Sequence, residues 1–228
     1  MSPPPRPRAL RQLRALLLKD LRLELRTRDT LAAMVLFAVV AMMIFQFAFG
    51  GRGQNLSAVS GGILWATLAL TAVLGVGRSW VPEREQRVLD GLLVTPVPRD
   101  LLLVARAGAI YVYLLIVEIV AVPLVTIFFV RGQEPSDLLL IGVVCLLANL
   151  GISILGSLLA CLALFARARE LLLPVLFLPS LLPVVIAASG ATQAVSGGTN
   201  DLAEYRGYCL FLGVYAAFFV LVASATYK

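Results

Sequence analysis

The stretch SAVSGGILWATLALTAVLGVG, Ser57–Gly77, runs for twenty-one residues without a charge. RSWVPEREQRVLDGLLVTPVPRD, Arg78–Asp100, follows at once, and a second apolar run, Leu101–Val130, comes directly after it. Crossing the hydrocarbon core of a bilayer takes roughly 20 apolar residues per helix. Each flanking run is long enough to cross, so the charged piece reads as a connection on one side of a membrane. Four further runs of the same kind lie outward from this pair: Leu31–Phe49, Leu138–Phe165, Leu171–Ser189 and Gly207–Thr226. Six spans with short connections define an all-α membrane protein. Its expected parts are a disordered tail plus amphipathic interfacial helix over 1–29 and a six-helix transmembrane domain over 30–228.

Composition agrees. Hydrophobic residues make up 60% of the chain and charged residues 14%, with mean hydropathy +0.94; soluble domains are nearer half and a quarter. The net charge of +6 comes from basic residues flanking apolar runs, so it reports topology rather than a nucleic-acid partner. Fifteen Lys and Arg fall in the amino-terminal segment, the second and fourth connections and the tail. Arg52, Arg131 and Arg206 stand alone in the first, third and fifth connections. This asymmetry places both termini in the cytoplasm. The first run begins after a charged region too long for a signal peptide's leading segment, and reads as a retained span. Cys145, Cys161 and Cys209 lie inside apolar runs without CxxC spacing and read as buried packing. There is no histidine, which removes the commonest metal and haem ligand and the usual general base.

The amino terminus, MSPPPRPR, reads as disordered. After it, Leu10, Leu13, Leu17 and Leu21 share one helical face and Arg11, Lys19, Arg22 and Arg26 another. This is the pattern of a helix lying in the membrane surface; the pattern blurs after Leu21. The fifth run carries Pro174, Pro179 and Pro183, each removing a backbone donor. The long outer connection from Gly190 to Gly207 leaves room for a short re-entrant or surface helix.

Within the charged connection, Pro82 suits a helix start, and Pro96 and Pro98 a stop. Val88, Leu89, Leu92 and Leu93 make an apolar stripe, with Glu83, Arg84, Arg87 and Asp90 elsewhere and Glu85 inside the apolar arc. A short amphipathic helix on the cytoplasmic side follows, resting on the membrane or docked in a partner's groove. Energetics bears on the choice. The two lysines, Lys19 and Lys228, follow no GxxxxG loop, so there is no Walker A phosphate cradle, and no catalytic constellation stands out. Uphill movement would draw on ATP hydrolysed by a separate chain. The ATPase-coupling candidates are Glu83, Arg84, Glu85, Arg87, Leu89, Asp90, Leu92 and Leu93.

Six spans, the basic amino-terminal LLLKDLRLELRTRD, GGILWATLAL in the second span, and ER…VLDGLLVTPVPRDLLLVAR resemble the CcmB family, the permease subunit of the haem-exporter ABC transporter of cytochrome c maturation. The resemblance implies an ABC-2-like exporter fold, a homodimer with two copies of an ATP-binding-cassette ATPase, and no enzymatic activity in this chain. It implies a haem-handling membrane protein, a small membrane subunit and a periplasmic haem chaperone as further partners, with haem as cargo and ATP on the partner. Whether haem passes through the permease, or ATP serves to free the loaded chaperone, stays open. Rival readings are a permease for lipid, polysaccharide or drug export, and a non-transport scaffold for cytochrome assembly.

Several single residues also call for a role. Glu118 falls about 18 Å along a helix from Arg106, near mid-bilayer, where a carboxylate faces protein or a wet cavity. It is either a conduit or coupling group, or a structural acid bonded to a neighbouring helix. Asn149, Ser153 and Ser157, at i, i+4 and i+8, make a strip suited to close helix packing. Gly61 and Gly62 suit close approach, and Trp65 and Trp80 suit boundary or core positions. Arg106 suits snorkelling or pairing with a carboxylate such as Asp100.

Overall fold

The computed structural model describes residues 6–49, 56–79, 99–130, 135–163, 169–196 and 201–226. Within them the chain is helical: α1 (Arg6–Thr27), α2 (Asp29–Phe49), α3 (Ser57–Arg78), α4 (Arg99–Phe129), α5 (Pro135–Ala163), α6 (Arg169–Ser196) and α7 (Leu202–Thr226). The helices α2 to α7 are each long and apolar enough to cross a membrane. The expected all-α membrane fold with six spans is what the structure shows. The coupling stretch 83–94, and Trp80 with it, lies outside the described residues.

The helix α3 packs against α2, α4, α5 and α6, while α7 packs against α5 and α6. Close approach is set by small side chains, because lipid is as apolar as leucine and gives no hydrophobic push between helices. A Cβ on Gly61 would lie 2.9 Å from the Ser189 carbonyl of α6. Gly62 has ordinary room, its nearest neighbour being 3.8 Å away. On α5, a Cβ on Gly156 would lie 2.6 Å from Val76 Cγ2 of α3.

Three expectations change. First, α1 begins at Arg6, inside the stretch read as disordered. Pro7 stands in its first turn, where a missing N–H breaks no helical bond. Second, the apolar face of α1 is covered by protein along its second half. Leu17 sits over Gly108 of α4 and Leu21 packs against the core, so lipid does not take that part of the stripe. Third, no separate re-entrant helix fills the outer connection among its described residues. Ala191, Thr192, Ala194 and Val195 are buried as a continuation of α6. Asp201 caps α7, its Oδ1 accepting from the Ala203 and Glu204 amides at 3.0 and 3.2 Å.

The helix α6 runs through Pro174, Pro179 and Pro183. Two hydroxyl groups add bonds to other carbonyls of this helix: the Tyr215 hydroxyl of α7 donates to Ser180 O at 2.5 Å, and Ser180 Oγ to Leu176 O at 2.8 Å.

Candidate functional site

Among the described residues, two polar constellations are held inside the bundle. The first joins α4 to α5. Glu118 is 5% exposed, and its Oε2 accepts from Asn149 Nδ2 at 2.8 Å. Its Oε1 is buried without a hydrogen-bond partner among the described residues. Cys145, one helical turn before Asn149, adjoins the same carboxylate. The Tyr111 hydroxyl, two turns before Glu118, donates to the Leu146 carbonyl of α5 at 3.4 Å. Helical spacing explains the grouping: residues 111 and 118 share a face of α4, and 145 and 149 share a face of α5. Ser153 and Ser157 extend that face of α5, both buried. Their hydroxyls donate to Leu150 O and Ile154 O at 3.1 and 2.9 Å, within their own helix. They are thereby satisfied without a neighbour, and the side chain remains small.

Chemically, a carboxyl in hydrocarbon must be neutralised or hydrogen-bonded. Asn149 supplies one donor to Oε2. The arrangement can hold a proton or hold two helices in register, and Glu118 and Asn149 are the pair through which either would act.

The second constellation sits where α1 meets the spans. Asp20 and Arg106 are each 8% exposed, with Asp20 Oδ2 3.4 Å from Arg106 Nη1. Arg106 thus has a carboxylate partner, and it comes from α1. Lys19 Nζ lies 3.6 Å from Asp20 Oδ1. Glu24, one turn on and equally buried, accepts the Leu31 amide of α2 on its Oε1 at 2.7 Å. Between α1 and α2 the chain turns at Arg28, whose φ of 58° is left-handed. The Arg28 amide bonds back to Glu24 O, closing the end of α1.

Sequence reading missed Asp20 and Glu24 as buried groups. The signal was present: 17, 20, 21 and 24 make one helical face, with Asp20 beside Leu21, and Glu24 stands on that face where the leucine stripe blurs. A third link, between α3 and α6, runs from Trp65 Nε1 to Thr192 Oγ1 at 2.9 Å, with Trp65 fully buried. Trp65 is therefore a core residue rather than a boundary anchor.

The fold and these sites define a class: a helical, multi-pass membrane protein whose spans are tied by buried polar links. The particular family follows from comparison with known proteins. The CcmB protein family matches residues 11–227, and the chain belongs to that family. The chain is 29% identical over 215 residues to Heme exporter protein B of Rhodobacter capsulatus, covering 94% of this chain and 96% of the relative. It is 30% identical over 189 residues to the protein of the same name from Bradyrhizobium diazoefficiens, covering 82% and 83%. To that of Pseudomonas aeruginosa it is 28% identical over 179 residues, covering 78% and 79%.

Proposed function

We propose that this chain is the non-catalytic membrane permease subunit of an ATP-driven haem exporter that serves c-type cytochrome assembly from the bacterial cytoplasmic membrane. The observation that carries the reading is the family match across residues 11–227, which spans all six membrane helices. The names of its relatives favour haem export over lipid, polysaccharide or drug export. A separate ATP-binding-cassette subunit supplies the work, since neither lysine of the chain follows a phosphate-cradling loop. A homodimer, a haem-handling membrane protein with its small subunit, and a haem chaperone complete the assembly. Both termini lie in the cytoplasm, as the distribution of Lys and Arg favours.

On this reading the ATPase pair closes on nucleotide and pushes the 83–94 stretch. That stretch runs into α4 and so shifts the spans. Glu83, Arg84, Glu85, Arg87 and Asp90 make the polar contacts; Leu89, Leu92 and Leu93 fill the groove. Glu118 lies on α4, into which that stretch runs, and Asn149 on α5, which packs against α4, with Ser153 and Ser157 on the face of α5 that must repack if they move.

The test is reconstitution with an ATP-binding-cassette ATPase of the same organism that co-purifies with this chain. The intact complex is expected to show ATPase activity stimulated by this chain and release of haem-loaded chaperone. Charge reversal at Arg84, Glu85 and Arg87 together is expected to leave assembly intact and cut release per ATP at least tenfold. A complex that neither stimulates ATP hydrolysis nor handles haem refutes the function. Unaltered coupling in the reversed variant refutes the assignment of the stretch.

A further inference from the structure

A permease driven from the cytoplasm needs its input face and its spans to move together, and α1 is joined to two spans on a single helical face. Asp20 meets Arg106 of α4 at 3.4 Å with both residues 8% exposed. Leu17, one turn earlier, sits so close that a Cβ on Gly108 would lie 2.6 Å from its Cδ1. Glu24, one turn later, holds the first turn of α2 through the Leu31 amide. Burying an ion pair brings little net stability, because desolvation offsets the attraction. In some proteins such a pair fixes which surfaces meet, since misalignment separates a buried charge from its partner. Arg106 also stands two turns into α4, the helix into which the charged connection runs.

We propose that the Asp20–Arg106 pair is a positioning joint: it makes α1, the start of α2 and the cytoplasmic end of α4 move as one body when the ATPase acts. The proposal rests on the permease reading above. Neither residue touches cargo; each acts by fixing the other's helix. Leu17 over Gly108 sets the spacing of the joint, and the ion pair sets its register. A push on α4 is thereby shared with α2 through Glu24, so two spans answer a single input.

The test uses the whole complex with its ATPase in proteoliposomes. Asp20→Asn keeps the shape and removes the charge. It is expected to assemble at wild-type abundance and hydrolyse ATP at a similar rate, with release of haem-loaded chaperone per ATP reduced at least tenfold. Arg106→Lys, which keeps the charge, is expected to retain at least half. A second variant, Leu17→Cys with Gly108→Cys, decides the matter if Asp20→Asn fails to assemble. The lost leucine leaves room for the new side chain, and a disulfide there locks α1 to α4. Oxidation is expected to change release per ATP by less than twofold, because the two helices already travel together. Wild-type coupling in Asp20→Asn overturns the joint, as does loss of coupling on oxidation. A wild-type complex with no ATP-driven release overturns the functional reading instead, and this proposal with it.

Discussion

The helices α3 and α7 look alike by composition and live differently. Their mean hydropathies are 1.9 and 2.1, yet 67% of the apolar stretch of α3 is buried inside the protein against 11% for α7. Hydropathy measures the cost of leaving water, and in a bilayer both helices have already left it. The choice between protein and lipid neighbours is made by shape. The buried face of α3 sets small residues, Ser60, Gly61, Thr67, Ala69, Thr71, Ala72 and Gly75, among Ile63, Leu64, Trp65, Leu68 and Val76. The helix α7 presents Leu210, Phe211, Val214, Phe218 and Leu221 outward. What fastens α7 is a set of tyrosines: Tyr205 donates to Leu140 O at 3.0 Å, Tyr215 to Ser180 O, and the Tyr208 ring lies over Gly190. Small residues let α3 approach its neighbours; α7 is held on by hydroxyl groups reaching across.

The largest break in that comparison is Gly61→Leu. The new Cβ would meet a backbone oxygen at 2.9 Å, and a carbonyl does not swing aside as a side chain does. The helices α3 and α6 must separate, straining Trp65–Thr192 and the 3.0 Å bond from Gln193 Nε2 to Ala58 O. The expected loss is about 3 kcal/mol, the upper part of the overpacking range, read from unfolding in mixed micelles. A loss near zero would mean that α3 and α6 are not packed as described.

How much of this was legible follows from the same contrast. The six spans could be read because long, predominantly apolar runs of membrane length stand out from their charged connections. The end of α6 and the start of α7 were misplaced because Gly190, Gly197, Gly198, Thr199 and Asn200 dominate a turn-like stretch. Ala191, Thr192, Ala194 and Val195 form a helical stretch hidden among them, legible only once the neighbouring helices are there to cover it. Glu118 and Asn149 were each singled out on its own, one by depth and the other by spacing. That they meet across 31 residues of chain depends on how α4 and α5 rotate against each other, which no local pattern encodes. Asp20 and Arg106 were harder still. A charged residue near a span end reads first as a topological signal, and its burial depends on where α1 docks.

Trp65→Phe sharpens the comparison at intermediate size. It keeps most of the ring volume at the centre of α3 and removes the indole N–H that reaches Thr192. Hydrogen bonds between membrane helices are worth about 0.6 kcal/mol on average and about 1.7 at most. The expected loss is about 1 kcal/mol in the same titration. Thr192 Oγ1 keeps its own bond to Ala188 O at 2.8 Å, so no further penalty arises on α6. A loss as large as that of Gly61→Leu would mean that the polar link, rather than small-residue packing, decides the position of α3.

The smallest effect is expected from Gly213→Ala on α7. Nothing lies within 4 Å of where its Cβ would stand, and glycine inside a helix is about 0.5–1 kcal/mol worse than alanine. The substitution is expected to stabilise the isolated chain by about 0.5 kcal/mol. Gly61 and Gly213 are then the same residue in two apolar helices with opposite signs of effect, which composition alone cannot produce. The measurement gains force when repeated in the assembled complex. If the face of α7 around Gly213 still meets lipid there, the gain persists. If another subunit covers it, the added methyl meets protein and the gain turns into a loss. A destabilising effect in the isolated chain, by contrast, would contradict the open surface described for α7.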